Sequence, residues 1–240
     1  MLLQPIGPLR TRRLAVGITT AIMLAAVVLA AFVATGGRTA LGAGGGGGPC
    51  PPAPGPGCTF KSINAFADFG TVSADGCMFT DASVQSFEAL SSPGHSALTI
   101  VFVSISTFDN CTGTFQTYVN FDPTSSGFPI FNGTALFGTK LDTASVNGSA
   151  PMFDINTGLQ AFTSNVSVVW TGFGPTTTFI DSFHVRTTGF LFNAHSNSTS
   201  RGAEATGTIT DIAGNNDASV PTLNAELQNA TQGSVSISKS

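Results

Sequence analysis

Residues 179–186 read Phe-Ile-Asp-Ser-Phe-His-Val-Arg, and three of the four odd-numbered positions, Phe179, Phe183 and Val185, are apolar. In an extended chain Phe179 and Val185 share one face, whereas His184 and Arg186 share the other. Alternation with a period of two is typical of a half-buried β-strand. The same period recurs in three further stretches, residues 114–121, 222–228 and 234–238.

Turn signals separate these alternating stretches, and no long stretch shows the 3.6-residue apolar period of a helix. Asp75-Gly76, Asn132-Gly133 and Asn147-Gly148 favour tight hairpin turns. Looser connections are indicated at Ser92-Pro-Gly94, Asp122-Pro123, Asn156-Thr-Gly158, Gly174-Pro175 and Asn215-Asn216. Strands are therefore predicted near residues 60–69, 78–90, 96–108, 113–121, 134–146, 160–172, 177–192, 203–211, 221–228 and 233–239.

This pattern predicts an all-β fold, an antiparallel β-sandwich or barrel of about nine or ten mostly locally connected strands. All but one of the 20 phenylalanines lie in residues 58–240. We expect these rings to fill the core of the domain.

The N-terminus carries the pattern of an export signal. Arg10, Arg12 and Arg13 precede an uncharged, apolar run over residues 14–35, which is a basic region followed by an apolar one. The run is long enough to span a bilayer, so residues 1–43 form either a cleaved signal peptide or an uncleaved membrane anchor. Both alternatives place the rest of the chain outside the cell. The expected localisation is extracellular or cell-surface, with membrane contact only through an uncleaved N-terminal segment.

A glycine- and proline-rich linker follows this segment. Between residues 42 and 57, 13 of 16 residues are Gly or Pro, a composition that forms no core. We therefore predict a linker over residues 44–57 and a single β-domain over residues 58–240.

The charge distribution argues against a nucleic-acid partner. Only five of the nine Lys and Arg residues lie after residue 43, against all 13 Asp and Glu residues. A nucleic-acid-binding face needs a cluster of basic side chains. The expected partner is an extracellular protein or a glycan.

Four cysteines in an exported chain favour disulfides. An antiparallel strand pair that turns near Ser92–Gly94 brings Cys77 and Cys111 to the same end, so these two are expected to bond. Cys50 and Cys58 would then close a short proline-rich loop. No Cys-x2-Cys or clustered His pattern accompanies the cysteines, so no metal and no cofactor are predicted.

Five polar residues are candidates for ligand binding. His184 and Arg186 are neighbours on one strand face, and His184 beside an acid has the chemistry of a general base. His195, Arg201 and Glu204 lie in a polar stretch that either converges on a ligand or forms a hairpin loop. A secreted hydrolase would require His184 or His195 to meet an acid in a cleft.

Two other features bear on ligands. Trp170 is the one tryptophan; it either contacts a sugar or, because it ends an apolar strand, packs inside. Asp211-Ile-Ala-Gly-Asn-Asn-Asp217 gathers oxygen ligands but lacks the alternating spacing of a calcium-binding loop. We interpret it as a turn.

Three stretches together resemble a pattern in uncharacterised secreted bacterial proteins. They are Val166-Ser-Val-Val-Trp-Thr-Gly-Phe-Gly-Pro175, Gly189-Phe-Leu-Phe-Asn-Ala-His195 and Arg201-Gly-Ala-Glu-Ala-Thr-Gly207. The resemblance implies a bacterial, exported, β-rich protein, and no known activity comes with it. The expected function is a non-catalytic structural or interaction role outside the cell, with a ligand- or carbohydrate-binding module as the alternative and a hydrolase as the less favoured one.

Overall fold

The computed structural model describes residues 60–90, 98–124, 128–187, 190–218, 222–232 and 236–238. Within them all regular structure is β-strand and no helix occurs, which confirms the all-β prediction. These residues belong to one compact unit, Pro54–Ser240. The strands are β1 Phe60–Val72, β2 Met78–Leu90, β3 Leu98–Asp109, β4 Thr114–Val119, β5 Asn132–Phe137, β6 Thr143–Asp154, β7 Gln160–Gly172, β8 Thr177–Thr187, β9 Phe190–Ile209, β10 Asn224–Gln232 and β11 Ser236–Ser238.

The strands form one antiparallel sheet that closes into a ring. Strands β1 to β4 follow one another as a meander, and β6 pairs with β7. Strand β10 pairs with both β1 and β9, which joins the two ends of the sheet. The ring is irregular because β4 and β6 share only two residue pairs, and because β5 and β8 lie off the main path.

Strand β9 is longer than the sequence predicts. Its second half pairs with β7 and its first half with β8, so β7 and β8 follow one another along a single long partner. The separate strands predicted at 177–192 and 203–211, with a polar hairpin loop between them, are therefore wrong. The polar residues between 193 and 201 lie within β9, because β8, β10 and β11 pair with β9 along both of its edges.

The core consists of the inward residues of these strands. It is built mainly from alanine, valine and isoleucine around Trp170. Phe69 is fully buried and Phe102 is 8% exposed, but Phe115 and Phe179 are 64% and 58% exposed. The expectation that phenylalanines fill the core is therefore wrong for many of them. Small residues are enough to fill the core because the closed ring of strands brings the inward faces close together.

The turns predicted at Asn132-Gly133 and Asn147-Gly148 are wrong, and so is the single strand predicted at 134–146. These residues lie within β5 and β6, where Gly133 is opposite Gly148. A Cβ atom on Gly133 would lie 2.6 Å from the Cα of Gly148, and one on Gly148 would lie 2.7 Å from the Cα of Gly133. The glycines are needed for close backbone approach and not for a turn. The chain turns instead between Phe137 and Thr143, where Leu141 has a φ of 55°.

The turn at Asp75-Gly76 and the disulfide next to it are confirmed. Gly76 has a φ of 74°, and Oδ1 of Asp75 accepts hydrogen bonds from Ser73 Oγ at 2.6 Å and Cys77 N at 3.0 Å. Cys77 and Cys111 are disulfide-bonded, with their Cα atoms 5.3 Å apart. The predicted Cys50–Cys58 pair, the turn at 92–94, the N-terminal segment 1–43 and the linker 44–57 lie outside the described residues.

Candidate functional site

Trp170 is buried in the centre of the ring. Its exposed fraction is 0%, and its Nε1 donates a hydrogen bond to the carbonyl oxygen of Phe66 at 2.8 Å. The indole therefore joins β7 to the interior side of β1. Neither face of the indole is exposed on the surface, so a sugar cannot stack against it.

Arg201 and Glu204 do not converge. Three positions along a strand place side chains on opposite faces, and Arg201 shares its face with buried Ala203 and Ala205 whereas Glu204 is exposed. The guanidinium of Arg201 donates to the carbonyl oxygen of Gly174 at 3.1 Å and to that of Leu141 at 3.5 Å. Arg201 thus holds two loops together.

The remaining candidates are placed by their backbone alone. In the β8–β9 ladder His195 is opposite Ser182, His184 is opposite Asn193 and Arg186 is opposite Leu191. The side chains of His184, Arg186 and His195 lie outside the described part of the chain. Their role in binding stays a prediction.

A pair of carboxyl groups that no sequence motif indicates lies on β1 and β2. Asp81 is opposite Gly70 and Asp68 is opposite Ser83, which makes the two aspartates diagonal neighbours. Burial, a hydrogen bond with Asp81 and the negative charge of Asp81 together raise the pKa of Asp68 to about 8. The Oδ1 atom of Asp81 is buried without a hydrogen-bond partner. One carboxyl of the pair therefore holds a proton at neutral pH.

The loop after β9 is a turn held by its own side chains. Oδ1 of Asp211 accepts from the backbone N–H groups of Ala213 and Asn215, both at 2.8 Å, and Oδ2 accepts from Asn215 Nδ2 at 3.0 Å. Asp217 is 4% exposed, and burial together with the charge of Asp211 raises its pKa to about 7. Within the described residues no group of three or more His, Cys, Asp or Glu is placed to hold a metal ion.

The ring has an opening between β3 and β5. Strand β4 pairs with β3 only from Ser104 onward, and Asn120 bonds to Val103. Among the described residues, no strand pairs with residues 98–102 of β3 on that side. Strand β5 pairs with β6 on one edge, and residues of β5 and β3 line one cleft. The resulting cleft has a volume of about 320 Å³ and no charged residue among its lining residues, which are Thr99, Ile100, Val101, Pro129, Phe131, Gly133, Thr134, Ala135 and Leu136.

Asn120 closes one end of this opening. It is fully buried, and its Oδ1 accepts a hydrogen bond from Val103 N at 2.9 Å. Its Nδ2 donates to the carbonyl oxygens of Val101 at 2.8 Å and Ile130 at 3.1 Å. The side-chain amide thus takes the place of a peptide group beside β3, and beyond it no described strand pairs with this edge of the sheet.

No protein-family model matches the chain, and no curated protein matches it. In the part of the chain that the structure describes, no helix is long and apolar enough to cross a membrane.

Proposed function

We propose that this chain is an exported domain that binds another extracellular protein and has no catalytic role. The observation that supports this proposal is the opening in the sheet, where residues of β3 and β5, each unpaired on one side among the described strands, line an uncharged cleft. Exposed strand edges carry unpaired N–H and C=O groups, and other chains bind to such edges. A protein that interacts with another chain would bind it through these strand edges.

Three features support export. The N-terminal 43 residues have the basic and apolar regions of an export signal. A glycine- and proline-rich linker separates them from the β-domain. The Cys77–Cys111 bond is of the kind that persists in oxidising compartments.

The alternatives find less support in the described residues. The burial of Trp170 weighs against a flat glycan-binding platform. The opposite faces of Arg201 and Glu204 weigh against a polar pocket in this part of β9. The pKa of Asp68 is raised, but no described histidine or cation lies in hydrogen-bond contact with Asp68 or Asp81.

The test compares two exposed leucines in the native host. Leu136 lines the opening and is 66% exposed, whereas Leu159 lies in the β6–β7 turn and is 70% exposed. Cells that express the full chain are treated with a membrane-impermeant crosslinker, and the chain is followed by immunoblot. We expect the 24.4-kDa chain to shift to a discrete larger complex. Leu136→Asp should abolish this shift and Leu159→Asp should preserve it.

Two results would contradict the proposal. One is a chain that the external crosslinker or an external protease never reaches, which would exclude an extracellular location. The other is a complex that both leucine variants retain equally, which would place the binding surface away from the opening.

A further inference from the structure

We infer that an apolar row on the outer face of strands β1–β4 binds a basic, amphipathic segment of another protein. This surface lies at the opposite end of β3 from the opening, so the inference goes beyond the proposed function. The register of four strands, the exposure of their side chains and the charges beside them support it.

The row runs across four strands at the end of the sheet that carries the disulfide. Val72 is opposite Phe79, and Phe79 is opposite Phe108. Phe108 is in turn opposite Phe115. Directly opposite residues share one face of a sheet, and neighbouring strands are about 5 Å apart. These four side chains, which we call the apolar row, therefore extend over about 14 Å.

The apolar row lies on the outer face of the sheet. Each of its members is three positions along its strand from a buried inward residue, and three positions place side chains on opposite faces. These inward residues, none more than 4% exposed, are Phe69, Ala82, Ile105 and Tyr118. Val72, Phe108 and Phe115 are 57%, 39% and 64% exposed, and Phe79 is half-buried. The row is thus accessible from outside the ring.

The fold covers the same face elsewhere. Ser104 and Phe102 lie on the same side of β3 as Phe108 but are only 7% and 8% exposed. The ring of Phe102 packs against that of Phe121, with the centroids 5.7 Å apart. Residues after β4 therefore help to cover the middle of this face and leave its end exposed. Contiguous apolar surface that a fold leaves exposed is typical of an interaction site.

Leu223 widens the surface on the β1 side. Gly70 is two positions from Val72 and therefore lies on the same face. A Cβ atom on Gly70 would lie 2.6 Å from Cδ1 of Leu223 and 3.4 Å from Cε2 of Phe79. The leucine is largely exposed and occupies the space that a side chain at position 70 would fill. Leu223 and the apolar row thus form one surface.

Negative charges lie beside this surface. Asp75 lies in the turn before β2, and Asp109 is the last residue of β3. Oδ2 of Asp154, at the end of β6, accepts a hydrogen bond from Gln116 Nε2 of β4 at 3.1 Å. Hydrogen bonds lower the pKa of all three carboxyl groups, which are therefore ionised at neutral pH.

No lysine or arginine whose side chain the structure describes is placed beside the apolar row. Lys61 is at the opposite end of β1 from Val72, and Lys140 precedes β6, at the opposite end of that strand from Asp154. Arg201 is bonded to the two loops described above. The charge that complements this surface therefore comes from the partner.

A second copy of this chain is a poor occupant. In a two-fold dimer the same patch of each copy faces the other. Such a dimer would bring Asp75 and Asp109 of one copy against the same residues of the second. Like charges placed together across an interface oppose binding.

The parts of this chain outside the described residues do not supply the complementary charge either. Residues 44–59 contain no Lys or Arg. Residues 91–97, 125–127, 188–189, 219–221, 233–235 and 239–240 together contain one, Lys239. The four arginines of residues 1–43 lie in the predicted signal peptide or anchor, which the linker joins to Phe60, at the end of β1 away from Val72. The occupant is therefore a segment of another protein.

The apolar row fits a helix better than an extended strand. Strands β2 and β3 are paired on both sides at Phe79 and Phe108, so their backbone groups are not available to a partner. A helix bonds its own backbone groups and presents only side chains. About nine helical residues span the length of about 14 Å. The segment is thus expected to carry apolar residues at positions i, i+3, i+4 and i+7, with Lys or Arg beside them.

The probe is a labelled synthetic helix of about 15 residues, built from leucine at those positions and lysine elsewhere. One control peptide has glutamate in place of lysine, and the other has serine in place of leucine. Fluorescence anisotropy measures binding to the purified full chain, with every protein variant in the same mild detergent. We expect both control peptides to bind at least about tenfold more weakly than the leucine–lysine peptide. Equal binding of the glutamate peptide would overturn the inference.

Two exposed phenylalanines provide matched protein variants. Phe115 belongs to the apolar row, whereas Phe179 lies in β8 and is 58% exposed. Phe115→Ser should weaken peptide binding by about tenfold or more, and Phe179→Ser should leave it unchanged. Equal binding to both variants would place the peptide away from the row. Leu136→Asp should also leave binding unchanged, and a loss in that variant would place the peptide at the opening; either result overturns the inference.

A pair of double variants tests the charges. Asp75→Asn with Asp109→Asn removes two charges beside the row and keeps the side-chain oxygen that holds each turn. We expect binding to weaken by about threefold to tenfold at low salt and to depend less on added salt. Asp142→Asn with Glu204→Gln changes the net charge equally at two exposed positions elsewhere. Equal effects of the two double variants would overturn the inference.

A photoreactive phenylalanine analogue at position 115 identifies the occupant in the native host. We expect it to crosslink to a segment of another protein in which basic residues flank apolar ones at helical spacing. A crosslink to a second copy of this chain, to residues 1–43 of the same chain or to lipid would assign the apolar row to that occupant and overturn the inference.

Discussion

At the scale of single residues, buried carboxyl groups set the pH dependence of stability. The groups that face Asp68 are Asp81 on β2 and Asn224 and Glu226 on β10, and none of them is a cation. The folded-state pKa of Asp68 is about 8, against an ordinary value of 3.8. Since the raised pKa favours the protonated form in the folded state, stability is highest below pH 4 and is lost as the pH rises toward 8. Asp217 contributes in the same direction up to about pH 7.

Asp81→Asn should therefore stabilise the protein at high pH. The amide of the new asparagine donates a hydrogen bond to the carboxylate of Asp68 and removes the neighbouring negative charge. We expect the free energy of unfolding at pH 8.5 to rise by about 1–3 kcal/mol, with a smaller change at pH 4. Urea unfolding at both pH values measures this difference. The control is Glu204→Gln, an exposed position on β9; equal changes in both variants would show that only net charge matters.

Exposed turn aspartates act in the opposite direction. Hydrogen bonds from Thr112 and Cys111 lower the pKa of Asp109, and those from Ser73 and Cys77 lower the pKa of Asp75. A lowered folded-state pKa stabilises the protein above the ordinary value and loses this contribution as the pH falls. Since the first kind loses its contribution above the ordinary pKa of 3.8 and the second kind below it, the two kinds of aspartate together place their stability maximum near pH 4.

At the scale of elements, the pairing of β5 with β6 depends on two glycines. Gly133 and Gly148 lie opposite each other, and a methyl group on either would overlap the backbone of the other strand. Gly148→Ala should separate the strands and lower the melting temperature by about 5 °C or more. Gly202→Ala is the matched control, because its added Cβ would contact only the ring of Phe173, at 3.3 Å. Equal melting temperatures for the two variants would contradict this role.

This glycine pair also shows where prediction from the sequence ends. The hairpin of β1 and β2 was predictable because Asp75-Gly76 acts within its own turn, and the Cys77–Cys111 bond followed from the antiparallel register. Asn147-Gly148 has the same local signal, yet its glycine is needed for contact with a residue 15 positions away. The local sequence favours a turn at Asn147-Gly148, whereas the contact between Gly148 and Gly133 requires an extended strand. The strand forms because the tertiary contact outweighs the local preference.

The candidate sites were less predictable than the strands for a related reason. Asp68 and Asp81 fit no motif, and only the register of β1 on β2 makes them neighbours. The predicted strands 60–69 and 78–90 and their turn contained enough information to place both aspartates on adjacent strands. The opening between β3 and β5 had no such signal, because it arises from where β4 stops pairing, which depends on Asn120 and the chain after it.

At the scale of the whole molecule, the ring should unfold as one cooperative unit. Most strands pair with a sequence neighbour, but β10 joins β1 to β9 and so connects the first strand to the last ones. Leu227 lies in β10 and is 1% exposed. Trp170 lies in β7, and its hydrogen bond to Phe66 of β1 makes its fluorescence a probe of the contact between β7 and β1.

Leu227→Ala should thus destabilise strands other than its own. Loss of a buried leucine side chain is expected to cost about 2–5 kcal/mol, whereas Leu223→Ala, at a position 62% exposed, should change stability by less than about 1 kcal/mol. Urea unfolding is followed by Trp170 fluorescence and by far-UV circular dichroism. If closure by β10 couples the ring, both midpoints fall together in Leu227→Ala. If the circular dichroism midpoint falls while the Trp170 midpoint stays at the parent value, β10 unfolds by itself and the ring is not one cooperative unit.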